Sequence, residues 1–378
     1  MYIEEVGKAC TGCMACKSAC RTDAIRMIPD EEGFPYPKVL ADKCKDCGLC
    51  TRVCPMLNTE ERQMLKKLFC GRAKDKETVR KSSSGGVFTA LAEKVLAKGG
   101  VVFGAAYEKD PWSVSYKSTE EVSLDALRRS KYVEAHVGDS FHKVKVALEA
   151  GKQVLFVGTP CHVTGLKLFL TKDYPNLLTV DFICGGGASP RYFQEHLATL
   201  EKKYGGKVTD VNFRPKLYGW KEYALKIDFD NKKTYKAYAY LDTYFRGFLH
   251  EGTIKRETCF SCRFRKNHAA DIILGDFWGH GAAGIKTDNE GLSLLITNSE
   301  KGEVALLEIA PFMELCEIAP KDVAYAFEPY KKAQEKIEKK KAFSEAYKKW
   351  GFEKAAKKLY MKKCMIFKLK KRIKGLLK

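Results

Sequence analysis

The chain has 378 residues, enough for two or three domains with buried cores. Its net charge is +20, but residues 331–378 hold nineteen Lys or Arg against four Glu, which is +15 and leaves +5 for the other 330 residues. That partition argues against a nucleic-acid protein, in which basic residues line a folded face with interleaved aromatics, and no apolar stretch approaches the length of a membrane span. The first ten residues, MYIEEVGKAC, contain no apolar signal core, so the expected location is the reducing cytoplasm.

Eight of the fifteen cysteines fall within the first 54 residues, in two copies of C-x2-C-x2-C-x3-C. The copies are Cys10, Cys13, Cys16 and Cys20, then Cys44, Cys47, Cys50 and Cys54, the second followed by Pro55. This is the run that ligates 4Fe-4S clusters in two-cluster ferredoxins, where the fourth cysteine of each run serves the other cluster. Cys54 is therefore expected with Cys10, Cys13 and Cys16, and Cys20 with Cys44, Cys47 and Cys50. Zinc sites use paired C-x2-C units and leave the third cysteine without a role, and a disulfide framework does not suit a cytoplasmic chain. Arg21 stands where a proline often follows, with no effect on the ligands. Residues 1–62 read as an α+β ferredoxin-like domain with two clusters.

Residues 63–81 read as a basic helix and linker. Ser82-Ser83-Ser84-Gly85-Gly86 then opens a helix with apolar residues at Val87, Leu91, Val95 and Leu96, which stops at Gly99-Gly100. VVFGAAY reads as a buried strand, Ser113–Lys117 as a second strand, and helices follow from Leu124 and over Phe141–Ala150. QVLFVG (153–158) and LLTVDFIC (177–184) are strands, each followed by a helix opened by Thr159-Pro160 or Ser189-Pro190. This order predicts an α/β domain with a mainly parallel, mixed sheet over 82–325. From Val208 short strands joined by turns predict an antiparallel extension, with two more strands at 271–278 and 292–297.

Four further cysteines lie at element ends: Cys161 at a strand-to-helix turn, Cys184 at a strand end, and Cys259 and Cys262 in an isolated C-x2-C. Strand ends on one edge of an α/β sheet converge and bind ligands there, so the four together would make a third 4Fe-4S site. The residues alone leave rivals open. Cys184 reads equally as a small buried hydrophobe, the C-x2-C as half a zinc site or a redox dithiol, and Cys161–His162 as a nucleophile pair, although neighbouring side chains on a helix point apart. Cys70, Cys316 and Cys364 have no partners at motif spacing and read as structural. Gly279-His280-Gly281-Ala282-Ala283-Gly284 matches a dinucleotide fingerprint, but polar IKTDNEG follows where a helix is required, so the match is accidental. Ser82 to Gly86 suit a phosphate cradle at a helix N-terminus and equally an N-cap with a flexible linker.

SSSGGVFTAL, FVGTPCH, DFICGGGASP and the C-x2-C followed by DIILGDFWG occur in an order that resembles the coenzyme F420 hydrogenase/dehydrogenase beta-subunit family, over nearly the whole chain to about residue 320. The resemblance implies an FAD bound by the α/β body with a 4Fe-4S cluster beside it. Cys161, Cys184, Cys259 and Cys262 are then the cluster's ligands, and Ser82, Ser83, Ser84, Gly85 and Gly86 contact the flavin phosphates. Asp276 and Trp278 would lie near the redox centre. Gly185 stands where the family often has His, with Gly186-Gly187-Ala188 after it, which puts the substrate pocket in doubt.

The function expected is an iron–sulfur flavoprotein oxidoreductase that passes electrons between FAD and 4Fe-4S clusters, with a redox protein and a small-molecule substrate as partners and no nucleic acid. The alternative is a non-catalytic electron-carrier or adaptor subunit. A third reading, a cysteine-nucleophile enzyme, rests on Cys161 alone. The tail, 326–378, reads as basic and helical. Its last segment puts Ile366, Leu369, Ile373, Leu376 and Leu377 on one face, for an anionic membrane surface or for folding back onto the body or a partner.

Overall fold

The computed structural model describes residues 2–58, 67–328 and 332–373. Its thirteen described strands are β1 (Ile25–Pro29), β2 (Pro35–Val39), β3 (Lys67–Ala73), β4 (Val101–Lys109), β5 (Trp112–Ser118), β6 (Val154–Val157), β7 (Leu177–Phe182), β8 (Val208–Asn212), β9 (Ala224–Phe229), β10 (Thr234–Tyr238), β11 (Ile272–Asp276), β12 (Ser293–Thr297) and β13 (Met313–Glu317). Eight of them form one mixed sheet in the order β13-β3-β12-β11-β7-β6-β4-β5. The strands β11, β7, β6 and β4 run parallel, and antiparallel strands extend both sides.

Strands buried on both faces read as continuous apolar runs, because each face needs its own partners. In β4 and β6, Val101, Phe103, Val154 and Phe156 pack with Phe141, Val163 and Leu166 from helices Ser140–Glu149 and Pro160–Leu170. Val102 and Leu155 face the other way, toward Val87 and Leu91 of helix Val87–Ala97 and Leu306 of helix Glu300–Ile309. Met14 and Ala15 of the N-terminal unit belong to the first of these cores, so that unit shares apolar packing with the body. Within it, β1 and β2 form an antiparallel hairpin.

Residues 67–73, assigned above to a linker, instead form β3, between β12 and β13. The basic flank concealed a short strand in which Leu68, Cys70 and Ala73 are buried. Only Lys76–Lys81 of that stretch is helical; residues 63–66 lie outside the described residues. The expected antiparallel extension is a separate three-stranded sheet, β10-β9-β8.

The basic tail forms helices Ala333–Trp350 and Phe352–Ile373. Phe343, Ala346, Phe352, Ala355, Ala356 and Tyr360 join the core built by Tyr192, Phe193 and Leu197 of helix Pro190–Tyr204. The tail therefore folds back on the body, as far along as Phe367, whose ring stacks on Tyr240 at 4.5 Å. On the last helix Met365, Ile366 and Leu369 are exposed, and residues 374–378, with the expected Leu376 and Leu377, lie outside the described residues.

A buried charge cluster fastens this docking. His196 lies 2.9 Å from Asp242 and 3.4 Å from Glu353, in the first turn of the last helix. Burial alone would push the imidazole pKa down, but Asp242 and Glu353 lift it to about 9. A group whose folded pKa is raised stabilises fully below its unfolded value, near 6.5, and the contribution fades as pH rises through the folded value. Thermal stability should fall between pH 7 and 9, and His196→Gln should flatten that slope; an unchanged slope in the variant refutes the assignment.

Candidate functional site

Both cysteine runs fold alike. The second and fourth residues after the first cysteine are left-handed in each: Gly12 (φ +73°) and Met14 (φ +61°), then Asp46 (φ +47°) and Gly48 (φ +68°). The first of these aims its own N–H at the preceding sulfur, Gly12 to Cys10 at 3.4 Å and Asp46 to Cys44 at 3.5 Å. Short helices Ala15–Ala19 and Leu49–Arg52 follow and carry Cys16 and Cys50. Cys10, Cys13, Cys16 and Cys54 line one apolar cavity, together with Ile3 and Met27. Cys20 is an electrostatic neighbour of Cys50, as is Cys47. The fourth cysteine of each run thus lies with members of the other run.

The second cysteine set gathers at the carboxyl edge of the large sheet. Cys161 opens helix Pro160–Leu170 after β6, and Cys184 comes two residues after β7. Cys259 lies in the 3-10 turn Glu257–Ser261 and Cys262 ends that turn. The sulfurs are mutual electrostatic neighbours: Cys161 with Cys184 and Cys259, Cys184 with Cys259 and Cys262, and Cys262 with Cys161. Backbone N–H groups point at two of them, Gly186 to Cys184 at 3.3 Å and Gly187 to Cys259 at 3.4 Å. Burial pushes the thiols of Cys161, Cys184 and Cys262 up to about 12. Among the described residues, no three His, Cys, Asp or Glu groups are placed to cage a single metal ion. A four-iron cubane instead spreads four thiolates over its corners and supplies the positive charge that buried thiolates need.

The two sets adjoin. Helix Pro160–Leu170 passes so close to the N-terminal unit that a Cβ on Gly165 would lie 3.2 Å from Cys13 Sγ. Arg256 is 1% exposed and stands between the sets. Its Nε donates to Glu134 at 2.8 Å and its Nη2 at 2.6 Å, while further N–H groups reach the carbonyls of Cys10 and Pro35, each at 3.1 Å. Glycines make room for this pair. A Cβ on Gly12 would lie 2.7 Å from Glu134 Oε1, and one on Gly187 would lie 2.6 Å from Oε2. The Gly185-Gly186-Gly187 run is therefore a packing requirement, with Gly186 at φ +108° and Gly185 against Phe248.

Ser82 to Gly86 lie at the same sheet edge, on the β3 and β12 side. Ala73 N donates to Gly85 O at 2.7 Å, and Gly85 N to Ser293 Oγ at 2.9 Å. Ser82 Oγ bonds Thr78 O, and Ser83 Oγ accepts the N–H of Ser130 at 2.8 Å. Ser84 Oγ is buried with no partner, and so is Thr89 Oγ1 in the first turn of helix Val87–Ala97. Gly86 caps that helix in the left-handed conformation with no side-chain cap. Two half-buried ammonium groups adjoin the run. Lys216 Nζ donates to Ser84 O at 3.0 Å and Val79 O at 2.6 Å, and Lys131 Nζ to the carbonyls of Arg128 and Arg129. Burial lowers their pKa values to about 8 and about 7.

Between this run and the cysteines stands GDFWG. Asp276 ends β11 and accepts from Arg214 at 2.7 Å, Trp220 Nε1 at 2.9 Å and the Tyr223 hydroxyl at 3.2 Å. Trp278 stacks on Trp220 at 4.5 Å and leaves its outer face partly exposed. The loop after it is a short 3-10 turn with no helix to Gly291, so the glycine fingerprint there has no dinucleotide context. His162 is turned away from Cys161 and bonds the Tyr116 hydroxyl at 2.9 Å, so the two form no nucleophile pair.

The profile for the coenzyme F420 hydrogenase/dehydrogenase beta subunit N-term covers residues 68–139, and that for its C terminus covers 151–322. A 4Fe-4S dicluster domain matches residues 9–57. The chain belongs to the coenzyme F420 hydrogenase/dehydrogenase beta-subunit family, with an N-terminal 4Fe-4S domain. A coenzyme F420-dependent sulfite reductase of Methanocaldococcus jannaschii is 27% identical over 317 residues, 78% of this chain. The chain spans only 45% of that relative's length. A chain of the F420-reducing nickel–iron hydrogenase complex of Methanosarcina barkeri is 19% identical, with a TM-score of 0.48, over 77% of this chain and 96% of that one.

Sequence reasoning missed Glu134, Arg256, Lys131, Lys216, Arg214 and Trp220. Arg256 carried a weak signal, a cation three residues before a C-x2-C. Arg256→Met would leave the Glu134 carboxylate buried and unpaired, a loss of about 3–5 kcal/mol. We expect a lower Tm, with partial recovery in Glu134→Leu/Arg256→Met. A Tm equal to that of the parent would disprove the linking role.

Proposed function

We propose that the chain passes electrons between a hydride-exchanging organic partner and its iron–sulfur clusters, with FAD held at the carboxyl edge of the sheet. A flavin exchanges two electrons with a hydride carrier and single electrons with iron–sulfur clusters, which is the chemistry these groups would supply. The observation that carries the reading is the order of residues along one edge. Ser82 to Gly86 lie by β3 and β12, Asp276 ends β11, Cys184 follows β7, and Cys161 follows β6 beside Cys13.

The unpartnered Ser84 hydroxyl, the uncapped helix end and the Lys131 and Lys216 ammonium groups, which have no carboxylate partner among the described residues, support pyrophosphate binding at Ser82, Ser83, Ser84, Gly85 and Gly86. Trp278 offers a flat face for a heterocycle, and Arg214 fixes Asp276 below it. Cys10, Cys13, Cys16 and Cys54 would hold one cluster, and Cys20, Cys44, Cys47 and Cys50 a second. Cys161, Cys184, Cys259 and Cys262 would hold the third. Coenzyme F420, named in the sulfite reductase relative above, is the proposed hydride carrier.

Protein purified anaerobically should contain about twelve irons and one FAD per chain, falling to about eight irons in Cys184→Ser with the N-terminal clusters intact. About eight irons and no flavin in the parent protein would leave the electron-carrier or adaptor reading.

The exposed Leu359, Met365, Ile366 and Leu369 support a peripheral contact with an anionic membrane surface, given the +15 charge of residues 331–378. Deleting the tail would remove Phe343, Phe352 and Tyr360 from the core, so point changes are the fair test. Ile366→Glu/Leu369→Glu should abolish cosedimentation with phosphatidylglycerol vesicles; undiminished binding rules the contact out.

A further inference from the structure

Two cysteines outside the proposed ligand set are partners that spacing could not reveal. In the antiparallel ladder of β3 and β13, Cys70 lies directly opposite Cys316. Ile318 N donates to Leu68 O at 3.0 Å and Lys74 N to Phe312 O at 2.9 Å, so alternate pairs are bonded and Cys70–Cys316 is one of the bonded positions. Bonded antiparallel pairs hold their Cα atoms about 5.5 Å apart, within the roughly 4.4–6.8 Å span of a disulfide, and direct their side chains to one face; closing the bond draws the Cβ atoms in from about 5.5 Å to about 4 Å, a shift that falls on the edge strand β13.

Their surroundings differ. Cys316 is exposed on an edge strand, whereas Cys70 is 1% exposed in the core with Phe277 and Trp220. Burial and the neighbouring Cys316 sulfur push the Cys70 thiol up to about 12. Cys316 is thus the sulfur that a solute can reach, and Cys70 is placed to resolve what forms there.

We propose that Cys70 and Cys316 are a reversible redox dithiol that closes to a cross-strand disulfide at the expense of a low-molecular-weight disulfide. The Cys316 thiolate attacks one sulfur of the small disulfide, forms a mixed disulfide and releases one small thiolate. The Cys70 sulfur, giving its proton to solvent, attacks the Cys316 sulfur and displaces the second. The two protein thiols are oxidised by two electrons, and the small disulfide is reduced to two thiols. The closed bond pins the edge strand β13. The chain leaving β13 carries Tyr325, whose hydroxyl accepts the Trp278 N–H at 2.9 Å and donates to the Asp276 carbonyl at 3.2 Å. The dithiol therefore bears on the support of GDFWG.

The test treats anaerobically purified holoprotein with oxidised glutathione, alkylates the remaining thiols and maps peptides by mass spectrometry. The expected result is a Cys70–Cys316 linked peptide and a raised Tm, both reversed by dithiothreitol, with iron–sulfur absorbance unchanged. Cys364→Ser should keep the link, Cys316→Ser should lose it, and Cys70→Ser should stop at glutathionylated Cys316. Parent protein that stays glutathionylated at Cys316, or is fully alkylated at both positions, overturns the proposal. Neither outcome bears on flavin or cluster content, so this test is separate from that of the proposed function.

Discussion

The contact between Arg256 and Glu134 governs how the rest of the site can be arranged. Two opposite charges in the interior lose most of their hydration, and their attraction compensates only where geometry is good and the remaining polar atoms are satisfied. Here the fork is bidentate, and the spare guanidinium N–H groups are taken by the carbonyls of Cys10 and Pro35. Phe34 and Tyr36 lie against the guanidinium, 4.9 and 4.7 Å from it. All four of those residues belong to the N-terminal unit, whereas Arg256 and Glu134 belong to the body. The pair can be satisfied in only one docking of the two, which makes a costly buried charge into a device for registry. Gly12 and Gly187 follow from it, since any side chain at either position would strike Glu134.

That docking gives meaning to the carboxyl edge of the sheet. Parallel strands deliver their ends to one side, where helix starts and loops leave room for ligands. In this chain the edge is a sequence of chemistries: uncapped backbone and ammonium groups, then the aromatic and carboxylate cluster of GDFWG, then four thiols, then Cys13 of the neighbouring unit. Asp276 illustrates the economy of the arrangement. It takes three donors from the segment between β8 and β9, and so ties the smaller sheet to the end of β11.

Local features of this architecture were legible in the sequence, and long-range ones were not. The cysteine runs could be read because cluster ligation demands a fixed short spacing, and their shared left-handed turns at Gly12 and Asp46 are its structural expression. Strands β4, β6 and β7 could be read because burial on both faces forces continuous apolar runs. β3 was missed because basic residues flank a strand too short to show a period. Glu134 and Arg256 are 122 positions apart, and Cys70 and Cys316 still further, so nothing in the linear pattern joins them. Docking of the tail was left open because Phe343, Phe352 and Tyr360 are diluted by lysines that suit a solvated helix equally well.

Electrostatics separates the two kinds of cysteine in this protein. Around Cys184 and Cys259 the body buries cations: Lys255 and Arg256 both favour the Cys259 thiolate, and Arg265 reaches the Cys184 carbonyl at 3.4 Å. Burial still outweighs these charges and raises both thiols. Cations that partly offset burial without overcoming it suit a site completed by metal, because the metal adds the remaining positive charge and the nearby cations temper the excess negative charge of four thiolates. Cys70 has no such company. Its thiol is raised by burial and by a single neighbouring sulfur, that of the exposed Cys316, so the pair lacks the four-sulfur surroundings of the other set.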